Sequence, residues 1–584
     1  MPDPTIDKAT LLANDLKELI SRYDHRSFTA HISHLANIHV RHQRNVDLKS
    51  PIRQLMYLIS LYHSTDFSGT TKYMPGDESD RKMIRLLNEI EEGYNVTKDK
   101  IAGISQKEIE RIIVTKSTFL NFYLNAPLTY FEQDIERVLR TFQHFDDHIL
   151  KETGLDVNNY IEFFKLMTKL ENEKGNNYLN NNFDNDAVLE SLKGGRSFKD
   201  LTDDEKIHLM DIGEQAVYEM GIPLTEIFLA MGEEKGKLLI MYFTLIREES
   251  KEYLYYTDPC PYLNKPIFFM DSEHIVMIFS KQLINAIYEF LYHICSDPLT
   301  PGRKVSERRD IYLEDKTVEI FEDFFGSEAE YFRSYYVNGD EKDLIILHDR
   351  NAYIVECKAH KYRDPLRDEY KAYNRIKDDF KKSIGKGYDQ AKPVEDCFYG
   401  ESPFNLFHKN KKVLTTLNPN EYDEVFTLVV THERFGQIQC DLKYLLEIED
   451  DSNFPCSVGV NDLESFLITL KRKRNHKEEF KQFLLAREKL QGRVFCYDEL
   501  ELCAYFLFDK QDFLKNCDRT EIFLSSPDMN NCFDLLYHVG FGFKDEVGLE
   551  SKLNKRHNDA TSFIKFHKLK PADRVAQFLK NGKQ

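Results

Sequence analysis

Residues 343–359, DLIILHDRNAYIVECKA, predict two short β-strands joined by a polar turn. Strand side chains alternate between the two faces of a sheet, so Glu356 and Lys358 share one face of the second strand and Cys357 takes the other. A carboxylate and an ammonium two residues apart on an otherwise apolar strand are costly to bury without a role. The hairpin therefore predicts a sheet that carries charged side chains on a buried face.

The first strand of this hairpin begins with a second acid, Asp343. Two carboxylates that meet across a hairpin, here Asp343 and Glu356, form a hard-oxygen site for Mg²⁺ or Mn²⁺. A lysine beside such an ion, here Lys358, orients water and neutralises the charge that develops on a phosphate. The pattern predicts metal-dependent hydrolysis of a phosphodiester bond, which is the reaction of a nuclease.

The tripeptide Glu-x-Lys alone is a weak signal in a chain that is rich in both residues. It recurs elsewhere, for example at Glu233, Glu249, Glu314, Glu479 and Glu550. Glu356 differs from these because it lies in a β-patterned run that follows a second strand with its own acid. The context of the hairpin, and not the tripeptide, carries the prediction.

The longer stretch GDEKDLIILHDRNAYIVECKA resembles the central hairpin of the PD-(D/E)xK, or restriction-endonuclease-like, nuclease superfamily. The resemblance covers about residues 305–470. It implies that a first acid and the Glu-x-Lys glutamate hold one or two divalent metal ions, while the lysine assists the attacking water. Asp343, Glu356 and Lys358 match these positions. In the family, the residue between glutamate and lysine lends its backbone carbonyl to the metal, and Cys357 occupies that place here.

Two further positions follow from the same resemblance. The family often has a glutamate on the helix before the sheet, which Glu319 or Glu322 in TVEIFEDFF would match, with Glu319 preferred. Many branches add a glutamine on the helix after the hairpin, and Gln390 in KGYDQAK resembles it. The implied catalytic residues are Asp343, Glu356, Lys358, Gln390 and Glu319, and the implied metal ligands are Asp343, Glu356 and Cys357.

The chain also departs from the family pattern. The branch associated with helicase exonucleases has a tyrosine four residues after the glutamine, where this chain has Val394. Lys342 replaces a usually apolar residue in the first strand. These departures favour the restriction-like and defence-nuclease branches of the superfamily. Two other interpretations remain: an ordinary surface Glu–Lys pair on an edge hairpin, and a nuclease fold retained only as a scaffold.

The predicted helix after the hairpin carries basic residues along one face. Between Glu356 and Lys392 the chain has eleven Lys and Arg against seven Asp and Glu, so this segment is net positive within an acidic protein. Such a stripe can track a nucleic-acid backbone. The alternative is a solvated helix face, and Gly385 and Gly387 can interrupt the helix. The predicted nucleic-acid contacts are Lys371, Arg375, Lys382 and Lys386.

Composition excludes several classes of protein. A formal net charge of −19 over 584 residues rules out a globally basic nucleic-acid coat, so any such contact comes from local patches. The ten cysteines lie between Cys260 and Cys532 without a CxxC pair, which is typical of a reducing cytosol and of neither a disulfide framework nor a zinc module. The chain lacks a signal-peptide pattern and an apolar run of about 18 residues. We expect a cytoplasmic protein without a membrane partner.

The chain is predicted to divide into three regions. Residues 1–300 read as mainly helical, a sensor, partner-binding or regulatory region with an Asn-rich loop at 175–187 and two short strands within 266–280. Residues 301–470 read as helix, three strands, helix, strand and helix, which is typical of helices packed on a mixed sheet. Residues 471–584 read as helical and begin with the basic run KRKRNHK. The predicted fold class is α+β, with helical regions flanking a central α/β restriction-endonuclease-like core.

These observations together predict a cytoplasmic, Mg-dependent endodeoxyribonuclease. DNA is favoured over RNA because most of the superfamily cuts DNA, which is an argument by analogy. A single catalytic centre cuts one strand, so double-strand cleavage favours a homodimer. The long helical region resembles those of bacterial anti-phage effectors, which implies a defence-system partner or trigger. The alternatives are an RNA-directed nuclease and a catalytically inactive interaction protein.

Overall fold

The computed structural model describes residues 7–42, 47–93, 105, 107–115, 129–181, 187–193, 195–197, 200–296, 304–363, 366–449, 452–525 and 527–538. The chain forms two compact units. The first comprises Met1–Asn95 and Tyr123–Val305, and the second comprises Val96–Phe122 and Ser306–Gln584. This division differs from the three predicted regions, because the chain after residue 470 belongs to the same unit as the sheet. None of the described helices is long and apolar enough to cross a membrane.

The first unit is mainly helical, as the sequence predicts. Its three short strands form a small antiparallel sheet, and two of them lie where the sequence predicts a strand, a turn and a strand. These strands are Ile222–Pro223, Phe268–Phe269 and His274–Val276. Its described helices are Lys8–Ile20, His25–His42, Pro51–His63, Glu78–Glu92, Phe131–Phe142, Asp146–Thr153, Val157–Asn181, Ala187–Lys193, Asp203–Tyr218, Leu224–Met231, Glu233–Phe243, Arg247–Ser250, Pro261–Asn264 and Lys281–Cys295.

The helix Val157–Asn181 corrects the loop that is predicted at 175–187. Phe163, Phe164 and Met167 on this helix are buried in the hydrophobic core of the first unit. A helix that is anchored by buried apolar side chains gains a hydrogen bond with each added residue, so it extends through poor helix formers such as asparagine. Residues 182–186 of the predicted loop lie outside the described residues.

The second unit is built around a seven-stranded mixed sheet. Its strands are β1 (Glu330–Val337), β2 (Asp340–His348), β3 (Asn351–Lys358), β4 (Phe404–Phe407), β5 (Val413–Leu417), β6 (Glu424–Thr431) and β7 (Cys456–Gly459). Their order across the sheet is β7-β6-β3-β2-β1-β4-β5. The strands β1, β2 and β3 form an antiparallel meander, and β3, β6 and β7 are parallel neighbours. This architecture confirms the predicted α+β class, while β4 and β5 are strands that the sequence analysis does not predict.

Helices cover both faces of this sheet. They include α1 (Val305–Phe325), α2 (Glu369–Phe380), α3 (Lys386–Tyr399), α4 (Val460–Leu470) and α5 (His476–Glu488), and further helices are Gln437–Cys440, Glu499–Phe508, Lys510–Cys517 and Asn531–His538. Residues 107–115 are also helical. On one face of the sheet, Ala391 and Val394 of α3 pack with Ile345 and Ile354 of the central strands. A layer of apolar side chains thus separates α3 from β2 and β3.

Aromatic side chains of α1 and α5 close the opposite face. The ring of Tyr353 on β3 lies 5.0 Å from the ring of Phe325 on α1 and 5.9 Å from that of Phe480 on α5. Buried aromatic pairs at these spacings contribute both apolar area and favourable ring contacts. The helix α5, which the sequence analysis assigns to a separate C-terminal region, is therefore part of the core of the second unit.

The basic run KRKRNHK, residues 471–477, contributes contacts to this packing. Lys471 Nζ lies 2.6 Å from Asp323 on α1, and Lys477 pairs with Glu328 just beyond α1. The His476 ring Nε2 lies 3.2 Å from the Phe324 carbonyl oxygen. These contacts hold the start of α5 against the end of α1, so much of the charge of this run is already paired within the second unit.

Candidate active site

Asp343, Glu356 and Lys358 meet near the start of β2 and the end of β3. The Lys358 Nζ lies 2.8 Å from Glu356 Oε2 and 3.2 Å from Asp343 Oδ2. The same ammonium donates to the backbone carbonyl of Cys357 at 3.1 Å. The three groups that the sequence analysis predicts as metal ligands therefore place their oxygen atoms around one positive charge.

A tight turn between β2 and β3 produces this arrangement. Asp349 and Arg350 both adopt left-handed backbone conformations, with φ of +46° and +59°. A two-residue turn with positive φ at both positions matches the twist of the strands that it joins and fixes their register. A slip of one residue would turn every side chain of a strand to the other face. The observed register brings Asp343 beside Glu356, and Asp343 Oδ2 accepts the backbone N–H of Cys357 at 2.7 Å.

The Glu356 carboxylate is buried, with 0% of the residue exposed. Its Oε2 pairs with Lys358, but its Oε1 accepts no hydrogen bond from any described residue. Burial, followed by the charge of Asp343, raises the pKa of Glu356 to about 7. A buried carboxylate oxygen without a donor is costly, and a cation is the partner that would remove this cost.

The Lys358 side chain keeps its proton at neutral pH. Burial acts to lower its pKa, but the charges of Glu356 and Asp343 outweigh burial, and the net shift of the Lys358 pKa is upward. With both acids ionised, the cluster carries two negative charges against one positive charge. The residual negative charge favours a further cation at the site.

A third acid, Glu314 on α1, lies close to this cluster. Burial, followed by the charge of Asp343, raises the pKa of Glu314 to about 7, and Lys358 acts in the opposite direction. The predicted acid Glu319 and its alternative Glu322 are exposed on the same helix. The structure thus brings Glu314 under the influence of the charged cluster, and this glutamate is not among the residues predicted for the site.

Glu314 lies outside the predicted helix, which starts at Thr317, whereas α1 begins at Val305. Thr317 is fully buried, and Glu314 lies three residues before it on the same face of the helix. Phe321 continues this face toward the core. If the apolar face of the predicted helix were extended by one turn toward the N-terminus, it would include Glu314.

Gln390 lies on the sheet-facing side of α3. Gly387, Gln390, Ala391 and Val394 follow the spacing of one helix face. A Cβ atom on Gly387 would lie 2.6 Å from Val429 Cγ1 and 3.4 Å from Lys358 Cγ, so this turn of α3 approaches the site closely and has no room for a side chain there. The Gln390 Oε1 is buried and has no hydrogen-bond partner among the described residues.

The predicted basic stripe lies on two helices joined by a π-helical turn, Lys381–Gly385. The wider turn rotates Lys386 about the helix axis relative to Lys371 and Arg375, so the single face predicted for an uninterrupted α-helix is displaced. Lys382 lies 2.8 Å from Asp378 in an ion pair. Lys371 and Lys386 are exposed, and no described acid forms an ion pair with either.

The oxygen donors of the cluster match the preferences of Mg²⁺ and Mn²⁺. Asp343 and Glu356 offer carboxylates, and Cys357 offers a carbonyl. Strand alternation puts the Cys357 side chain on the face opposite Glu356 and Lys358, so its sulfur is directed away from these ligands. Burial also raises the pKa of the Cys357 thiol well above its ordinary value. Among the described residues, no three His, Cys, Asp or Glu side chains form a preassembled metal cluster. The candidate ligands are therefore two carboxylate side chains and one backbone carbonyl. Among their oxygen atoms, Glu356 Oε1 suits a cation best, because it is buried and accepts no hydrogen bond from the described residues.

Comparison with models of protein families, with curated proteins and with solved structures finds no match to this chain.

Proposed function

We propose that this chain is a metal-dependent nuclease that hydrolyses phosphodiester bonds, with DNA as the favoured substrate. The observation that supports this best is the convergence of the Asp343 and Glu356 carboxylates and the Cys357 carbonyl on one ammonium. A buried ion pair adds little net stability over apolar side chains of similar volume. Stability alone therefore does not account for a charged cluster in the middle of an apolar sheet.

In this proposal Asp343, Glu356 and the Cys357 carbonyl hold Mg²⁺ or Mn²⁺. The pairing of hard oxygen ligands with a buried, donor-free Glu356 Oε1 supports that assignment. When bound, the ion supplies Lewis-acid stabilisation of the negative charge on the phosphate. The protein supplies the fixed geometry, because all three ligands belong to one hairpin whose register the turn determines.

The side chains around this centre have distinct roles in the proposal. Lys358 is charged at neutral pH, so it can orient the attacking water and neutralise charge that develops on the scissile phosphate. Glu314 has a pKa of about 7, in the range suited to proton transfer at neutral pH. Gln390 lies on the side of α3 that faces the sheet, and we assign it to keep the side chains of the site in position.

Contact with the nucleic-acid backbone is assigned to the basic residues of α2 and α3. Lys371 and Lys386 should contribute most, because they are exposed and lack an acidic partner among the described residues. Lys382 should contribute less, because Asp378 already neutralises its charge. Arg375 is only partly exposed, so it should contribute less than Lys371 and Lys386.

The wider setting is also part of the proposal. We assign the protein to the cytoplasm, with a homodimer as the form that cuts both strands and the helical first unit as the part that receives a trigger or a partner in anti-phage defence. The alternatives predict different results: an RNA-directed nuclease cuts RNA alone, and an interaction protein that retains only the nuclease fold cuts nothing.

The test is cleavage by the full-length chain. Supercoiled plasmid, single-stranded DNA and RNA are incubated with the protein and Mg²⁺, Mn²⁺ or EDTA. We expect cleavage of DNA with either metal and none with EDTA. The variant Glu356→Gln keeps the side-chain volume but removes a charged ligand, so its rate should fall on the order of a thousandfold or more, as loss of several kcal/mol of charge stabilisation implies.

The matched control is Glu330→Gln, which changes an exposed glutamate on β1 of the same sheet. This variant should cut like the parent. Folding of both variants is checked by circular dichroism and thermal melting. Cleavage by a folded Glu356→Gln protein at the parental rate would contradict the proposal, and cleavage of RNA without cleavage of DNA would select the RNA-directed alternative.

A further inference from the structure

His360 lies two residues beyond Lys358, just after the end of β3. The Lys358 carbonyl oxygen accepts a hydrogen bond from the His432 N–H at 3.1 Å, so the pairing with the β6 segment continues past the last residue of β3. Extended backbone places residues i and i+2 on one face, about 7 Å apart. His360 therefore follows Glu356 and Lys358 along one face of this segment.

Contacts with the helices on this face agree with that placement. The stem of Lys358 lies against α3, where a Cβ atom on Gly387 would be 3.4 Å from Lys358 Cγ. The His360 ring lies against α2, and its Nε2 is 3.3 Å from Asp379 Oδ1. Only the π-helical turn Lys381–Gly385 separates α2 from α3, so both side chains face the same layer of helix.

Asp379 holds the His360 ring in a fixed orientation. Its carboxylate is buried, with 0% of the residue exposed. The Arg363 Nε donates to Asp379 Oδ1 at 2.8 Å, and the Arg363 backbone N–H donates to Oδ2 at 3.2 Å. A carboxylate that is fixed in this way and accepts from one ring nitrogen sets the orientation of the imidazole and directs the other nitrogen away from itself.

The second ring nitrogen of His360, Nδ1, makes no hydrogen bond to any described residue. The side chain is 32% exposed, and Nδ1 is not among the buried nitrogen atoms, so this nitrogen is open to solvent. In the imidazolium form both ring nitrogens donate. With Nε2 engaged by Asp379, the Nδ1–H group is a charged donor that suits an anionic oxygen.

We propose that His360 binds the phosphate next to the scissile one and so forms a substrate subsite between the catalytic centre and α2. This inference rests on the proposed function, because the bond that is cut defines the neighbouring phosphate. Arg375 lies one helical turn before Asp379 on the same side of α2. A strand that passes from Lys358 over His360 thus continues toward the residues assigned to the backbone. The subsite uses none of the metal-ligand oxygens, so ion and phosphate are bound together.

The variant His360→Gln separates this role from a purely structural one. The glutamine NH₂ group takes about the place of ring Nε2 and keeps a donor for Asp379, while nothing replaces Nδ1. The variant should therefore melt like the parent and lose only the phosphate contact. The matched control is His408→Gln, which changes an exposed histidine in the turn between β4 and β5.

The first readout combines these variants with single changes in the DNA. The cleavage position in an end-labelled oligonucleotide duplex is mapped with the full-length chain and Mg²⁺. An uncharged methylphosphonate then replaces, one at a time, each of the two phosphates that flank the cut bond. In the parent, one of these replacements should slow cleavage of that bond by about tenfold or more, as loss of a hydrogen bond to a charged group implies.

His360→Gln should cut the unmodified duplex more slowly by about the same factor. The same methylphosphonate should cause no further loss in this variant, because the contact is already absent. His408→Gln should match the parent with every duplex. A parental rate in folded His360→Gln, or a methylphosphonate effect that persists unchanged in it, would overturn the subsite.

A second readout keeps this inference separate from the proposed function. In protein with carbon-13-labelled histidine, the ring signal of His360 is the nuclear magnetic resonance signal that is missing from His360→Gln. Addition of the duplex in Ca²⁺ should shift this signal. If the signal shifts but the parent cuts nothing, the proposed function fails and the phosphate contact stands. If the parent cuts DNA and the signal does not move, the subsite is overturned and the proposed function stands. A parent that neither binds nor cuts DNA overturns both.

Discussion

The protonation of Glu356 sets the pH range in which the proposed site can act. Burial and the charge of Asp343 raise its pKa from 4.5 to about 7. Because the protonated carboxyl is a poor ligand for a cation, the affinity of the metal-free protein for Mn²⁺ should decrease as the pH falls through 7. We expect this affinity at fixed ionic strength to drop by about tenfold for each pH unit below 7, because binding of the ion releases one proton. An affinity that stays constant down to pH 5.5 would contradict this role.

A variant of Lys358 should lose catalysis and retain substrate binding. Lys358→Ala removes the only ammonium in contact with Asp343 and Glu356 among the described residues. Hydrolysis should be lost, while the dissociation constant for a DNA duplex in Ca²⁺ should stay within about twofold of the parent, because the assigned backbone contacts lie on α2 and α3. The buried Glu356 carboxylate then lacks a partner, while Asp343 keeps its hydrogen bond from the Cys357 N–H, so the free energy of unfolding should fall by about 3–5 kcal/mol.

The control for this variant is Lys409→Ala in the exposed turn between β4 and β5. It removes the same charge from the protein without touching the cluster, so cleavage and stability should both match the parent. Loss of DNA binding in a folded Lys358→Ala protein would show that the lysine holds the substrate and does not act on the scissile phosphate.

At the scale of elements, the basic residues of α2 and α3 provide the next prediction. The variant changes four residues to glutamine, namely Lys371, Arg375, Lys382 and Lys386. Binding to DNA should weaken, and the slope of log affinity against log salt should decrease by about one for each phosphate that the protein no longer neutralises. Because Lys382 is already paired with Asp378, we expect the slope to change by less than the number of removed charges suggests.

A change in net charge alone also weakens binding to DNA, so this variant needs a control of its own. Lys409, Lys411 and Lys412 in the turn between β4 and β5 are exposed and are changed to glutamine together. If both multiple variants show the same salt slope as the parent, the residues of α2 and α3 form only a solvated face.

The elements differ in how far the sequence predicts them. The strands β2 and β3 carry alternating apolar residues and a polar turn, so local pattern suffices to predict them. The strands β4 (FNLF) and β5 (VLTTL) are short and half-exposed, and their stability derives from pairing with β1 and with each other. Strand propensity depends on such neighbours, which explains why the sequence does not predict these two strands.

At the scale of the whole molecule, the stability of the second unit should depend on Glu488. Burial, followed by the charges of Glu395 and Glu424, raises the pKa of Glu488 from 4.5 to about 7. A carboxyl whose folded pKa exceeds its unfolded value stabilises the fold below pH 4.5, and this contribution is lost as the pH rises through 7. The ionised Glu488 therefore destabilises the protein at pH 8.

Glu488→Gln removes this ionisation. At pH 8 the variant should be more stable by about 1 kcal/mol after allowance for solvent screening, which corresponds to a few degrees in melting temperature. At pH 5 it should melt like the parent. Glu478→Gln, an exposed position on the same helix α5, is the control and should show no such pH-dependent gain. Equal gains at pH 5 and pH 8 would mean that the charge of Glu488 is not the cause.

The sequence alone determined the central hairpin, its acids and its lysine, because strand alternation and turn chemistry act over a few neighbouring residues. It also determined the α+β class, since apolar residues recur along the chain both at helical spacing and in the alternation that is typical of strands. Only the tertiary structure decided which helix glutamate approaches Asp343, since that depends on where α1 begins and how it packs. The same holds for the Glu356 Oε1, which is buried without a hydrogen-bond donor among the described residues. Burial arises from contacts between segments distant in sequence, which no local pattern encodes.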